Sequence, residues 1–244
     1  MPLFLLLLTL AAPDTSWMQA DTTYHDGSLV IRNYTRIGVT IASWPGPFGF
    51  IYSSENPPEV GTIGARGGYR YLINASFFDG MRAHATHAGW LFLRGDTVAP
   101  LRKDRQLTRV VRYDMETGTV CFCPLAGFQS AGDSSSVEFQ TGPEVIEQDT
   151  VTEAEIAGSV NGLGSYTRTL LAVTNGSVKY FITVRKRYRL NDLARVLLSL
   201  DVFRGTILDA VDLDGGPSVA LWSRDHPELN YNVGDHLPLL LGIR

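Results

Sequence analysis

Cysteine is almost missing from this chain: its 244 residues hold two, Cys121 and Cys123. They stand one residue apart in a strand-like run, too close for the ~3.8 Å Cβ separation and twisted dihedral of a disulfide. Two sulfurs with no histidine nearby also fall short of the four ligands of a structural zinc site. No disulfide framework, metal or cofactor is therefore expected, and the two thiols read as free and half-buried. Positive charge is scarce too, with 21 Lys and Arg against 25 Asp and Glu for a net charge of −4. That balance argues against the counterion-releasing grip of a nucleic-acid binder. The densest basic cluster, Arg185, Lys186, Arg187 and Arg189, is too short to reverse this and reads as a solvated turn after a strand. Beyond the amino terminus no run of about 18 apolar residues occurs, so no transmembrane anchor is expected. No Pro/Ser-rich linker or block of like charge divides the chain, which argues for one domain.

What is present is a globular composition, 44% apolar with 24 Gly and 12 Pro, enough for a sizeable core crossed by many turns. The first apolar run, Leu3 to Ala12, has the length of a signal-peptide core. Residues 1–20 are accordingly expected to be a signal peptide and 21–244 a secreted or periplasmic domain. Short β-type runs punctuated by turn residues fill the first two thirds. Trp90 to Leu93 and Thr97-Val98 form one expected hairpin around Arg94-Gly95-Asp96, and Val110 to Tyr113 with Thr119 to Cys123 form a second. Leu190, Leu193, Ala194, Leu197 and Leu200 recur at helical spacing, predicting a helix from about Asn191 to Leu200 with Asn191 as its N-cap. A shorter helix is expected at Thr152, which with Glu155 has the form of a capping box. Strands around Ser177 to Val184 and Ala210 to Leu213 flank the long helix, and Leu237 to Gly242 suits a closing strand. The layout predicts an α+β fold, a sheet-rich single domain with a few helices packed on a mixed sheet.

Four places combine strand ends with polar or small residues, where such scaffolds present reactive groups. In Ile73-Asn74-Ala75-Ser76-Phe77-Phe78-Asp79-Gly80 a strand stops at an amide suited to sugar hydroxyls, next to aromatics able to stack on a sugar face. The same segment reads equally well as a structural Asn turn with core aromatics. Phe139-Gln140-Thr141-Gly142-Pro143 sets an amide ahead of a turn. Tyr166-Thr167-Arg168-Thr169 puts a guanidinium at the mouth of a buried strand, placed for a phosphate, a carboxylate or a structural salt bridge. Asp212-Leu213-Asp214-Gly215-Gly216-Pro217-Ser218 places two carboxylates on one side of a strand, where neighbouring acids split their pKa values. Its glycines allow backbone to approach a ligand. A calcium loop is the competing reading of that stretch, against which stand the missing Glu at the twelfth position and the missing flanking helices.

Taken in order, Asn-small-small-Phe-Phe, Gln-x-Gly-Pro, Arg-Thr opening a strand, a helix, and Leu-Asp-Gly-Gly-x-Ser resemble the phosphodiester glycosidase family, from about Tyr71 to the carboxyl terminus. The resemblance implies an exported hydrolase that cuts a sugar from a phosphodiester, its partner a sugar-phosphodiester or another phosphate-containing glycan. It carries Arg168 and Asp214 onto the presumed catalytic centre, with Asp212 or Asp79 as the partner carboxylate. Asn74, Phe78, Gln140, Gly142, Thr169, Gly215, Gly216 and Ser218 are implied to line it. Where the family usually has Asn-Gly-Gly this chain has Asn74-Ala75-Ser76, and Asp212 stands where Asn is common. The alternatives are a non-catalytic glycan-binding protein or a structural envelope protein on the same fold. The structural reading requires Arg168 and Asp214 to pair with each other and to leave no cleft.

Overall fold

The computed structural model describes residues 15–54, 56–80, 85–160, 162–175 and 177–244. The apolar run Leu3 to Ala12 lies outside them, whereas Trp17 and Ala20, inside the range expected to be a leader, pack against the core. Three larger sheets make the body. The first has eight strands in the order Thr22–Asp26, Leu29–Tyr34, Val39–Trp44, Lys179–Tyr188, Tyr166–Thr174, Leu208–Gly215, Glu144–Glu147 and Thr150–Val151. The second has five, Val120–Pro124, Arg109–Asp114, Ser136–Thr141, Leu91–Leu93 and Asp96–Ala99. Leu221–Ser223, Tyr71–Asn74, Leu239–Ile243 and Gly49–Tyr52 form a four-stranded third. Every pairing among the described residues is antiparallel, so the expected mixed sheet is corrected. Seven of the fifteen pairings join consecutive strands, whose short connections leave no room for the crossover that a parallel pair needs.

Alternation along the central strands divides the core in two. Leu171, Phe181, Val211 and Leu213 face a cluster with Ile73 of the third sheet and Val111, Tyr113 and Phe139 of the second. Leu170, Ala172, Ile182 and Val184 face the other way, against Leu193, Ala194 and Leu197 of the helix Leu190–Ser199. Full burial of one such leucine contributes about 1.5–3 kcal/mol. The helix obeys the predicted spacing, but Arg189 rather than Asn191 flanks its start, with no side-chain cap. Thr152 does precede the short helix Glu153–Gly158, yet the capping box does not form. Its hydroxyl donates to the Glu144 carbonyl, and Glu155 turns to Arg109 and Thr108.

Arg94 (φ 55°) and Gly95 (φ 92°) are both left-handed, so Arg94-Gly95-Asp96 is a tight hairpin turn. The basic cluster is not a turn: Arg185, Lys186 and Arg187 belong to the strand Lys179–Tyr188. Arg185 donates to Asn33 Oδ1 at 3.1 Å and Thr40 Oγ1 at 3.2 Å. Cys121 is exposed and Cys123 half-buried, both free. The first and second sheets are joined through Arg109, which bonds Glu144 at 2.9 Å and also binds Glu155 of the short helix.

Candidate functional site

The site grows from the carboxyl end of the strand Leu208–Gly215. Its register with Tyr166–Thr174 slips, since Thr169 pairs with Asp214 and Leu170 with Asp212, leaving Leu213 as an extra residue. Such a bulge re-aims the side chains beside it. The segment after Gln140 fastens the bulge: Thr141 Oγ1 donates to the carbonyls of Asp212 and Leu213 at 2.9 and 3.1 Å, and Gly142 N donates to Asp212 O at 3.0 Å. A Cβ on Gly142 would sit 2.9 Å from both that carbonyl and the Phe77 ring, which explains a glycine here.

Arg168, 1% exposed, bonds Asp212 Oδ2 through Nη1 at 2.7 Å and lies 5.1 Å over the Tyr166 ring. Asp214 is buried as well, and its Oδ1 accepts from Gly215 N at 2.6 Å. Burial pushes the Asp214 carboxyl up to about 8, against the hydrogen bonds of Gly215 and Ser218, and the neighbouring Asp212 adds to the rise. Burial likewise pushes Asp212 up to about 6, while Arg168 pulls the other way. At neutral pH Asp214 therefore carries a proton in the fold and Asp212 is mostly ionised, the split that adjacent acids allow. A Cβ on Gly215 would meet Thr167 O at 2.7 Å, and Gly216 has φ 68°, so this turn suits glycines.

Two hollows meet at Asp214. A cavity of about 670 Å³ is lined by Phe77, Phe78, Gly80, Gln106, Asp214, Pro217, Ser218, Gly234, Asp235, His236 and Leu237. A smaller one of about 200 Å³ is lined by Phe77, Tyr166, Arg168, Asp214, Gly215, Gly216 and Pro217. Phe77, Asp214 and Pro217 are common to both. Arg168 pairs with Asp212 and not Asp214, and a cleft is present, so neither condition of the structural reading is met.

Of the residues implied by the sequence, Phe78, Arg168, Asp214, Gly215, Gly216 and Ser218 converge on these hollows. The others line neither. Gln140 has spent its whole hydrogen-bonding capacity: Oε1 accepts from Trp90 N and Arg102 N, and Nε2 donates to Arg102 O and Leu107 O. It braces loops and has nothing left for a sugar hydroxyl. Asn74 Oδ1 accepts from Thr169 Oγ1 at 2.6 Å and Ala220 N at 3.1 Å, which fixes the amide orientation. Its buried Nδ2 has no partner among the described residues. Asn74 and Thr169 thus position backbone around the site, as does Gly142. Asp212, with its side chain 1% exposed, holds Arg168 and lines neither hollow. Asp79 is exposed on the rim, bonded to Arg102 at 2.5 Å. Ser76, the departure from the family pattern, turns to His87 Nδ1 at 2.6 Å while His87 Nε2 meets Trp90 O at 3.0 Å. Burial drives the His87 pKa down to about 4, so this pair is neutral and pins the segment.

Gln106, Gly234, Asp235, His236 and Leu237 were not expected in the site. Residues 234–237 reach it through a bridge between Glu59 and His236 and the bond of Val60 N to Asp235 O at 3.0 Å, contacts that no local pattern encodes. Among the described residues no group of three or more His, Cys, Asp or Glu is arranged to hold a metal ion.

Comparison with solved structures places this geometry among relatives. The zebrafish N-acetylglucosamine-1-phosphodiester alpha-N-acetylglucosaminidase catalytic domain, auto-inhibited by its pro-peptide, matches with TM-score 0.60 and 12% identity over 91% of this chain and 81% of that one. A Burkholderia pseudomallei protein described as a candidate exported protein matches with TM-score 0.57 and 11% identity over 84% and 74%. A hypothetical protein from Synechocystis matches with TM-score 0.52 and 13% identity over 91% of this chain and 61% of its own length. At such identities the likeness is one of fold. No curated protein matches the chain by sequence. The family model for phosphodiester glycosidases, however, matches residues 67–239, which contain Asn74, Arg168, Asp214 and His236, and the chain belongs to the phosphodiester glycosidase family.

Proposed function

We propose that this protein hydrolyses a sugar-1-phosphodiester, releasing the sugar and a phosphomonoester. The observation that carries the reading is Asp214, a buried acid protonated at neutrality, placed where the two hollows meet and with Arg168 in the smaller one. In this reading the phosphate occupies the smaller hollow beside Arg168, Gly215 and Gly216, and the sugar occupies the larger one against Phe77 and Phe78. Asp212 keeps the guanidinium fixed, so its donors meet the phosphate without reorganisation. As the bond from the anomeric carbon to the phosphate oxygen breaks, its electron pair stays on that oxygen, which takes the Asp214 proton. Water supplies the new hydroxyl. General acid catalysis of this kind is worth about 10²–10⁴-fold.

Turnover of a chromogenic sugar-phosphodiester by wild type, Arg168→Ala and Asp214→Asn tests this. Each variant is expected to retain less than about one tenth of the wild-type rate, a barrier increase of ~1.4 kcal/mol or more. Unchanged rates end the proposal, and calorimetric binding without product release would favour a glycan-binding role. Export belongs to the same proposal, supported by the apolar run Leu3 to Ala12. Amino-terminal sequencing of protein recovered outside the cytoplasm tests it, and an intact Met1 would contradict it.

A further inference from the structure

We infer that His236 is the general base of the site, the group that takes a proton from the water attacking the anomeric carbon. This deepens the proposed hydrolysis and rests on it. His236 lines the larger hollow with Asp214 but comes from another part of the chain, the loop leading into the strand Leu239–Ile243. Its Nδ1 lies 2.6 Å from the Pro57 carbonyl oxygen. A carbonyl only accepts, so Nδ1 carries the hydrogen, and in the neutral ring Nε2 is left with the lone pair. The ring is thereby oriented as a working base requires, by a fixed acceptor behind it. The loop is also held rigid: Val60 N donates to Asp235 O at 3.0 Å and Gly61 N to Val233 O at 2.8 Å, both from the start of the helix Val60–Gly67.

Among the described residues, the larger hollow is lined by three ionisable side chains, Asp214, Asp235 and His236. Burial keeps Asp214 protonated and raises Asp235. An acid that holds its proton and an imidazole with an open lone pair thus share one chamber, the pairing that a single displacement needs. Water attacks the anomeric carbon and yields its proton to His236 Nε2. The carbon–oxygen bond to phosphate breaks, and the departing oxygen takes the Asp214 proton. Proton return from the imidazolium, through solvent, to the Asp214 carboxylate restores both groups. A water activated directly in this way leaves an inverted anomeric centre.

The test uses the full chain with a chromogenic sugar-phosphodiester. His236→Ala and His236→Gln should each lower kcat about 100-fold or more with KM within about threefold, Gln retaining a donor for Pro57. Added imidazole should restore part of the His236→Ala rate, and the first product anomer seen by NMR should be inverted. Wild-type-like kcat in a folded His236→Gln protein, or a retained anomer, overturns the inference while leaving the hydrolase reading intact. No turnover by wild type on any sugar-phosphodiester overturns the parent reading, and this inference with it.

Discussion

Two arginines, half-buried Arg109 and fully buried Arg168, each stand near two acids and serve different ends. Arg109 reaches both of its carboxylates, Glu144 at 2.9 Å and Glu155 through Nε at 2.9 Å, and Glu155 Oε1 also accepts from Thr108 Oγ1 and Glu144 N. Arg168 bonds one acid, Asp212, whose Oδ1 has no partner among the described residues. The second acid, Asp214, is held by a backbone N–H and the Ser218 hydroxyl instead of a cation bond. The first cluster closes the seam between two sheets and touches neither hollow of the site. The second opens on two hollows. The first cluster ties strands and a helix together, and the second sets an acid where two hollows meet.

Breaking the first cluster should give the largest effect. Arg109→Leu leaves the buried Glu144 and the half-buried Glu155 without their guanidinium partner and should cost about 3–5 kcal/mol in a urea melt. A loss under about 1 kcal/mol would show that the two clusters do not differ as described. Breaking the second at Asp214→Asn should lower turnover about 100-fold or more, near 2.7 kcal/mol of barrier, while removing an unfavourable buried acid. At pH 8.5 that variant should melt a few °C, ~3 °C, above wild type in calorimetry; a lower Tm would contradict the assigned burial cost.

The pH dependence of stability sharpens the same contrast. Folding raises Asp214 and Glu144 to about 8 and Asp212 to about 6 from ordinary carboxyl values. The fold binds protons that the unfolded chain releases, so this part of stability is complete below about pH 4 and is lost as pH climbs through 6 to 8. Tm should fall between pH 5 and 9, and Asp214→Asn should flatten the slope. A Tm that rises over that window would refute the shifts. If Asp214 acts as the acid, turnover should also decline above about pH 8. The smallest effect belongs to Asp79→Asn, because the Arg102 pair is exposed. It should cost no more than about 1 kcal/mol and change turnover less than about twofold; a larger loss of turnover would return Asp79 to the catalytic set.

The sequence was informative where chemistry is local. Leucine spacing announced the helix Leu190–Ser199, turn residues announced both hairpins, and the Gly-Gly after Asp214 marked a backbone that packs against Thr167 and Arg168. It did not reveal partners that residue type alone does not name. The Gln140 amide meets four backbone groups, and Asp212 bonds Arg168. It was silent on His236, whose place depends on contacts between residues 57–61 and 233–236. The all-antiparallel pairing escaped as well, because the buried runs around Leu170 and Ile182 look the same in either sense.

Asp214 stands in the partition between a roomy chamber and a narrow one. Whatever fills either side meets the same carboxyl, so under the proposed hydrolysis a change that reshapes the leaving-group compartment would also alter the acid felt by the sugar. Preference for one half of the substrate and speed toward the other would then evolve together, linked through a single proton.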